Sequence, residues 1–253
     1  MEVHHHPDLH HKPKPWKEYL LEYLMIFLAV MTGFFAESLR EHIADSEKAK
    51  EYAKSLYDDL KVDTAMIQRT SREKEWIVAK FDSAQNILSA NEITKNNEFL
   101  YYIERYITYN DVFTIQDITY QQLRSSGNFR FIKNVNLYKS IAEYYSLYSR
   151  YQSIDGTFGS VVINEISVME SRIFDAHDLT SLDNDKANNF YNLGLPSKIH
   201  LKPMSGNKED LNTFYINVHN ARRRSINARL FLGWLKVDAV KLMAALKDEY
   251  NLE

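Results

Sequence analysis

The most apolar stretch of the chain, WKEYLLEYLMIFLAVMTGFFAESLREHI (residues 16–43), constrains the fold more than any other feature. Its charge-free part, Tyr23–Ala36, spans about 21 Å as a helix, and extension back to Tyr19 gives about 27 Å. The hydrocarbon core of a bilayer is about 30 Å thick. Glu22 then lies near the edge of the core, where a carboxylate costs less than the roughly 3 kcal/mol it costs at the centre. The stretch therefore predicts a transmembrane helix over residues 19–36.

The flanks of this stretch favour the membrane over two alternatives. Trp16, Tyr19 and Tyr23 stand where an interfacial aromatic belt is expected. A helix buried in a soluble core, or lying at an interface, should have a polar face, and residues 24–36 have none. A cleaved signal peptide ends in small residues, whereas Phe34 stands before the candidate cut.

The basic residues around the stretch predict its orientation. Lys14 and Lys17 precede it closely, and only Arg40 follows at a comparable distance. Over a wider window, the numbers of Lys and Arg residues before and after the stretch are nearly equal. Because basic residues accumulate on the cytoplasmic side, we expect a single-pass protein of the bacterial inner membrane with a cytoplasmic N-terminus and a periplasmic domain.

One face of the predicted span carries small and acidic residues. Glu22, Ala29, Gly33 and Glu37 recur at helical spacing, so they form one stripe. Small residues four apart let a second backbone approach closely in lipid. The stripe predicts a helix–helix contact that joins a homo-oligomer, or another membrane protein, through the span. The alternative is that isolated Ala and Gly residues carry no such role.

The rest of the chain predicts long helices. It has few turn-forming residues, with 7 Gly and 5 Pro among 253 residues, and no stretch alternates with the period of a strand. We expect the first helix to run on to about Ala90, two shorter helices over 97–126, and long helices over 134–178 and 207–250, with a loop-like segment over 178–206. The fold class is all-α: one N-terminal transmembrane helix that continues into an elongated antiparallel helical bundle. The expected domains are a flexible His/Lys/Pro-rich tail (1–18), the transmembrane helix (19–36) and the extramembrane bundle (37–253).

Apolar residues at 3-4 spacing mark the inner faces of these helices. In the first helix they are Ala53, Leu56, Leu60, Ile67, Ile77, Phe81, Ala84 and Leu88. The long middle helix shows Tyr138, Ile141, Tyr145, Tyr148, Gln152, Asp155, Gly159, Val162, Ile166, Met169 and Ile173. The last helix shows Leu211, Phe214, Val218, Ala221, Ser225, Ala228, Leu232, Leu235, Ala239, Leu242 and Leu246, with Asn207 as its N-cap. The segment QRTSREKE (68–75) is polar all round and is expected to be exposed, kinked or at a break in register.

Metal chemistry has two candidate locations. His4, His5, His6, His10 and His11 could bind zinc, copper or nickel, but a tail without supporting contacts would hold a metal weakly. An unstructured tail is the favoured interpretation; metal capture and a remnant of cloning are the alternatives. Asp175, His177 and Asp178 stand where a helix ends, and helix capping explains them better than a metal site does.

Most other chemistry is disfavoured by the sequence. The chain has no cysteine, which excludes disulfides and thiolate sites. Its net charge of −3 argues against a nucleic-acid partner. No P-loop, dinucleotide-binding or hydrolase motif is present. The basic cluster Arg222–Arg224, with Arg229 and Lys236, is interpreted as a solvated face; pairing with acids or an anionic ligand are alternatives.

Two segments carry a family resemblance. They are EVHHHPDLHHKPKPWKEYLLEYLMIFLAVMTGFFAESLREH near the start and ITYQQLRSSGNFRFIKNVNLYKSIAEYY in the middle. The first resembles the N-terminus of a family of uncharacterised single-span proteins common in Bacteroidetes-type bacteria. The second is similar to that family's middle segment, Thr-Tyr-x-x-Leu-x-Ser-Ser-Gly followed by a Tyr-rich helix. Together they cover about a third of the chain. The resemblance implies an envelope protein and brings no activity or catalytic residue with it.

We therefore expect a membrane-anchored helical scaffold or assembly protein of the envelope, in contact with the lipid bilayer, with no cofactor and no catalytic activity. The alternative is a ligand-sensing helical domain that acts through a partner membrane protein. A polar pocket between helices would favour the sensor, and a large exposed apolar strip would favour the scaffold.

Overall fold

The computed structural model describes residues 15–108, 113–183 and 200–252, and every regular element in these ranges is a helix. The α-helices are α1 (Trp16–Ser89), α2 (Asn97–Ile107), α3 (Ile118–Ser125), α4 (Val135–Ile173), α5 (Ala176–Asp183) and α6 (Lys208–Tyr250). Two 3-10 helices precede α2 and α4 at Thr94–Asn96 and Asn128–Phe131. The predicted all-α class is confirmed, and the predicted order of the helices along the chain agrees with it.

The chain divides into two compact units, Met1–Glu51 and Tyr52–Glu253. In the first unit, α1 begins at Trp16, so the last residues of the expected tail are helical. The remainder of that tail, residues 1–14, lies outside the described residues. The second unit contains the rest of α1 and all the other helices.

In the second unit, α4 and α6 are antiparallel partners. The Asn134 Nδ2 donates to Glu249 Oε2 at 2.7 Å, which joins the start of α4 to the end of α6. Arg172 and Asp210 form an ion pair at 3.3 Å, which joins the end of α4 to the start of α6. The contacts at the two ends fix one antiparallel register.

The second half of α1 is also antiparallel to α6. As the contacting residue of α1 lies closer to the C-terminal end of that helix, its partner lies closer to the N-terminal end of α6. The two residue numbers of every pair add up to the same value. The pairs are Glu75 with Arg229, Asp82 with Arg222, Gln85 with His219, and Ser89 with Tyr215. One uninterrupted register therefore runs over this whole contact.

Two apolar clusters form the core of the second unit. One contains Leu56 and Leu60 of α1 with Leu232 and Leu235 of α6. The other contains residues from α1, α2, α4 and α6; its members include Phe81, Ile103, Ile173 and Phe214. The inner faces predicted for α1 and α6 are confirmed, except that Leu88 and Leu211 are only half-buried.

The inner face of α4 agrees with its prediction in most of its described members: Ile141, Tyr145, Tyr148, Ile166, Met169 and Ile173 are buried. Tyr138 and Gln152 are exposed, whereas the neighbouring Leu137, Tyr144 and Tyr151 are buried. A helix with tyrosines on several sides offers more than one apolar stripe, so spacing alone did not give the full width of the buried face. The side chains of residues 155–165, which include the two glycines of α4, lie outside the described set.

The polar segment 68–75 is helical and only partly exposed. It lies within the continuous helix α1, with Thr70 and Lys74 buried between the two apolar clusters. On α6 the buried Ser225 lies between the members of the two clusters, and its hydroxyl donates to the Ala221 carbonyl at 3.1 Å. Buried polar side chains therefore separate the two clusters along each of these helices.

The predicted helix ends are confirmed. The Asn207 side chain accepts from the backbone N–H groups of Glu209 and Asp210, which satisfies two free donors at the start of α6. Gly127 follows the end of α3 with φ of 70°, a left-handed conformation that favours glycine.

Candidate functional site

The first candidate site is the apolar surface of α1 in the first unit. It is the one helix among the described residues that is long and apolar enough to cross a membrane, by length and composition. An 18-residue apolar window of this helix is wholly exposed. Trp16, Phe34 and Phe35 are each about 70% exposed. Such an exposed apolar surface needs a lipid or protein environment to cover it.

The predicted contact stripe lies on this surface. Glu22, Ala29, Gly33 and Glu37 are all exposed. A Cβ added at Gly33 would meet no atom within 4 Å, so the notch beside Gly33 is open. Glu37 is held by two hydrogen bonds from Arg40, at 2.5 and 3.0 Å, on the same helix. The stripe is accessible to a second helix, and its role in contact remains a prediction.

A second apolar surface lies on α6. Leu230, Trp234, Val237 and Val240 are each about half exposed. At about 100° per residue they fall within about one third of the helix circumference, on the side facing away from the buried Leu232 and its neighbours. We call these four residues the α6 outer face. The Trp234 ring is held edge-on against Phe231, with centroids 5.0 Å apart.

The sequence prediction missed the α6 outer face. It identified only the inner stripe of this helix, although Leu230, Trp234 and Val237 follow the same 4-3 spacing on the opposite side. A helix with two apolar stripes was the available signal, because a helix that contacts only one core should have a polar back.

The basic cluster of α6 differs from its favoured interpretation. Arg222 pairs with Asp82, and Arg229 pairs with Glu75 at 3.3 Å. Arg224 donates to the Ile107 carbonyl at 2.5 Å. These three arginines bind neighbouring helices rather than forming a solvated face. Of the three consecutive arginines, only Arg223 is fully exposed.

A buried carboxylate joins α1 to α4 and to the segment before α3. Asp63 is inaccessible to solvent and accepts hydrogen bonds from the Gln116 backbone N–H at 2.7 Å and the Tyr144 hydroxyl at 2.8 Å. Burial raises the pKa of Asp63 to about 6, and the two hydrogen bonds oppose this effect. Burial and the facing Asp63 raise the pKa of Tyr144. Asp63 therefore links three segments of the second unit.

A second acid lies half-buried on α4. Burial raises the pKa of Glu170, and the nearby Glu104 of α2 opposes this effect.

A shallow groove lies between α1 and α6. Its lining includes Gln68, Ser71, Arg72 and Lys236, and its volume is about 140 Å³. Ligand pockets for drug-sized molecules measure roughly 300–1,000 Å³. The groove therefore accommodates at most a small anion or a few waters.

The metal candidates have separate outcomes. The five tail histidines lie outside the described residues. Asp175 caps α5, accepting from the backbone N–H groups of His177 and Asp178 at 2.9 and 3.3 Å, and pairs with Lys202 at 2.5 Å. The Lys202 ammonium lowers the pKa of Asp175. This confirms the capping interpretation. No group of three or more metal-binding side chains occurs within the described ranges.

Comparison with known proteins gives no relative: no family model, curated protein or solved structure matches this chain.

Proposed function

We propose that this chain is a membrane-anchored helical scaffold or assembly protein of the bacterial envelope. The observation that supports this most is the apolar window of α1, which is long enough to cross a bilayer and has no residue buried. A soluble core helix would bury most of that surface. Contact with lipid removes this apolar surface from water, which is favourable by roughly 25 cal/mol per Å² of apolar area.

The proposed topology is a single span with a cytoplasmic N-terminus and a periplasmic second unit. Lys14 and Lys17 before the span, against Arg40 after it, support this orientation. The proposal includes the inner membrane as the location.

The assembly part of the proposal rests on surfaces rather than on a reactive centre. The open notch at Gly33 and the exposed α6 outer face are both available for contact. These two surfaces support contact with another protein.

Membrane fractionation tests the anchor. The full-length chain should stay in the membrane pellet after washing at alkaline pH and should float with the lipid in a density gradient. Recovery of the chain in the supernatant would remove the basis for the proposal.

Disulfide crosslinking tests assembly through the span, because the natural chain has no cysteine. Gly33→Cys should form dimers in native membranes on mild oxidation. Met31→Cys, on the opposite side of the helix, is the matched control and should form few. Equal yields from both variants would mean that the stripe is not the contact face.

Ligand sensing is the second candidate function. The groove with Arg72 and Lys236 supports it, since two cations beside Ser71 suit a small anion. The melting temperature of the full chain, measured at increasing concentrations of phosphate or acetate, tests this candidate. A bound anion should raise the melting temperature.

A further inference from the structure

We infer that the groove between α1 and α6 binds one phosphate-class oxoanion, which bridges Arg72 of α1 and Lys236 of α6. This inference deepens the ligand-sensing candidate named above and rests on it, because it names the class of ligand and the contacts that hold it. It requires neither the membrane anchor nor a contact through Gly33.

The basic residues of α6 that face α1 recur at intervals of seven residues. Arg222 pairs with Asp82, and Arg229 pairs with Glu75. Residues seven apart lie on the same face of a helix. Lys236 is the next basic residue at this spacing, so it lies on the face of α6 that meets α1.

The third position of this series lacks an acid. The register of the two ion pairs places Gln68 opposite Lys236, and both residues line the groove. A glutamine amide carries no charge. Lys236 therefore has no carboxylate at the position where the two preceding arginines have one, and a bound anion supplies the missing negative charge.

A second cation lies at the same groove. Arg72 lines it together with Lys236, and both residues are exposed. The acids close to Arg72 in the sequence are engaged elsewhere, since Glu73 pairs with Arg69 and Glu75 belongs to the series above. Within the described part of the chain, neither lining cation takes part in an ion pair. Two cations at one groove repel each other, and an anion between them removes this repulsion.

Neutral donors complete the groove. Ser71 offers a hydroxyl and Gln68 an amide. The planar guanidinium of Arg72 can donate to two oxygens of one oxoanion, and the Lys236 ammonium adds a compact charge. No carboxylate occurs among the described lining residues. This set of donors suits phosphate or sulfate better than a cation or a neutral ligand.

Gly233 leaves the α6 side of the groove open. Glycine inside a helix is less favourable than alanine. A Cβ added at Gly233 would meet no atom within 4 Å, so packing within the described residues does not require glycine here. The missing side chain leaves room for a ligand instead.

The size of the groove limits the ligand to a small anion. Its volume is about 140 Å³, below the roughly 300 Å³ at which pockets for organic ligands begin. A single oxoanion fits this space, whereas a nucleotide does not. Ile67 and Leu232 supply the apolar part of the lining, and an apolar surrounding strengthens hydrogen bonds to the anion.

Thermal unfolding of the detergent-solubilised full chain in inorganic phosphate tests the site. At about ten times the Kd, phosphate should raise the melting temperature by on the order of 3 °C relative to sodium chloride of equal ionic strength. Phosphate also stabilises proteins without binding them, so variants of the site are decisive. Arg72→Ala and Lys236→Ala should each reduce the shift, because each removes one cation. An undiminished shift in both variants, or no shift in the natural chain, would overturn the inference.

Gln68→Glu tests the site by a gain of stability. The new carboxylate lies opposite Lys236 and completes the series of ion pairs. The melting temperature in chloride should rise, and the phosphate shift should disappear. Asn86→Asp adds the same charge at an exposed position of α1, about 27 Å along the helix, and should retain the shift. Gln68→Glu with its phosphate shift intact would contradict the proposed contact.

Free phosphate and a phospholipid headgroup share this oxoanion chemistry. Glycerol 3-phosphate carries the headgroup chemistry in soluble form. We expect inorganic phosphate to be sufficient and glycerol 3-phosphate to give a smaller shift, because the groove is small. A shift with glycerol 3-phosphate alone would overturn the assignment of a free oxoanion.

The outcomes separate this inference from the proposed function. A membrane-bound chain without any phosphate shift would refute the groove site and leave the anchor in place. A chain recovered in the supernatant, with a phosphate shift that Gln68→Glu abolishes, would refute the anchor and support the groove site. A shift with acetate that phosphate does not produce would retain ligand sensing and overturn the phosphate-class assignment.

Discussion

The two halves of α1 belong to one helix and expose apolar residues in opposite ways. Before Glu51, Leu28 and Phe34 are among many large apolar side chains that are at least half exposed. After Tyr52, Leu56 and Leu60 are fully buried, and the opposite side is polar. Hydrogen bonding within the helix is the same in both halves, so the difference lies in the solvent that each half requires. Apolar residues on all sides suit lipid, and a one-sided stripe suits a protein core beside water.

The largest expected effect comes from charged substitutions in the first half of α1, which test its difference from the second half. Phe27→Arg together with Leu28→Arg places two charges at the centre of the proposed span, at a cost of about 6 kcal/mol. The chain should shift from the membrane pellet to the supernatant or to aggregates. The matched control is Val62→Arg with Met66→Arg at exposed positions of the same helix, which should leave fractionation unchanged. Equal fractionation of the two double variants would mean that both halves of α1 lie in the same solvent.

The same Leu→Ala change in both halves sharpens the comparison. Leu60→Ala should lower the free energy of unfolding of the second unit by about 2–5 kcal/mol, because it leaves a cavity. Leu28→Ala, at a position 53% exposed, should leave that unfolding unchanged. Urea unfolding of the detergent-solubilised chain, followed by circular dichroism, measures both. A Leu28→Ala loss as large as that of Leu60→Ala would contradict the separation.

A pH dependence of the free energy of unfolding is expected only from the second half of α1. The pKa of Asp63 is about 6 in the fold, above its ordinary value of 3.8. The folded chain therefore holds this proton more tightly than the unfolded chain. The stabilisation from Asp63 is complete below about pH 4 and is lost as the pH rises through 6, a change of about 3 kcal/mol.

Asp63→Asn isolates this contribution. The difference in unfolding free energy between the natural chain and Asp63→Asn should vary between pH 4 and pH 7. The variant should lack this part of the pH dependence. Asp58→Asn, at an exposed position five residues away on the same helix, is the control. A constant difference across this range would show that Asp63 ionises normally.

The smallest expected effect concerns a helix end that meets water. Asn207→Ala removes the acceptor for two backbone N–H groups at the start of α6 and should cost about 1 kcal/mol. Asn207→Asp keeps the acceptor and should retain stability. The melting temperatures of the two variants check this, and equal losses would exclude a capping role.

The sequence predicted the helices well because their signals are local. Asn207, Gly127 and the 3-4 stripe around Leu60 each report on a few neighbouring residues. What the sequence could not show depends on residues far apart in the chain. The burial of Lys74, the pairing of Arg222 with Asp82, and the tie from Asp63 to Tyr144 each need the packed helices.

The candidate site was predicted only in part. The stripe through Gly33 was predicted because small residues at a spacing of four let helices approach closely, and its role in contact stays a prediction. The α6 outer face was missed because an apolar residue such as Trp234 fits an inner or an outer face equally well until the core is located. One tyrosine of α4 gave the opposite error, since Tyr138 was expected inside and is exposed, whereas Tyr145 and Tyr148 are buried as predicted.

The constant register between α1 and α6 limits how the second unit could transmit movement. A piston-like displacement of α1 by one turn, about 5.4 Å, would separate Asp82 from Arg222 and Glu75 from Arg229 at once. It would also draw the Asp63 carboxylate away from Tyr144 into an apolar environment. Displacement of α1 relative to α6 is therefore opposed by all three contacts together, and the helices of the second unit should move as one body.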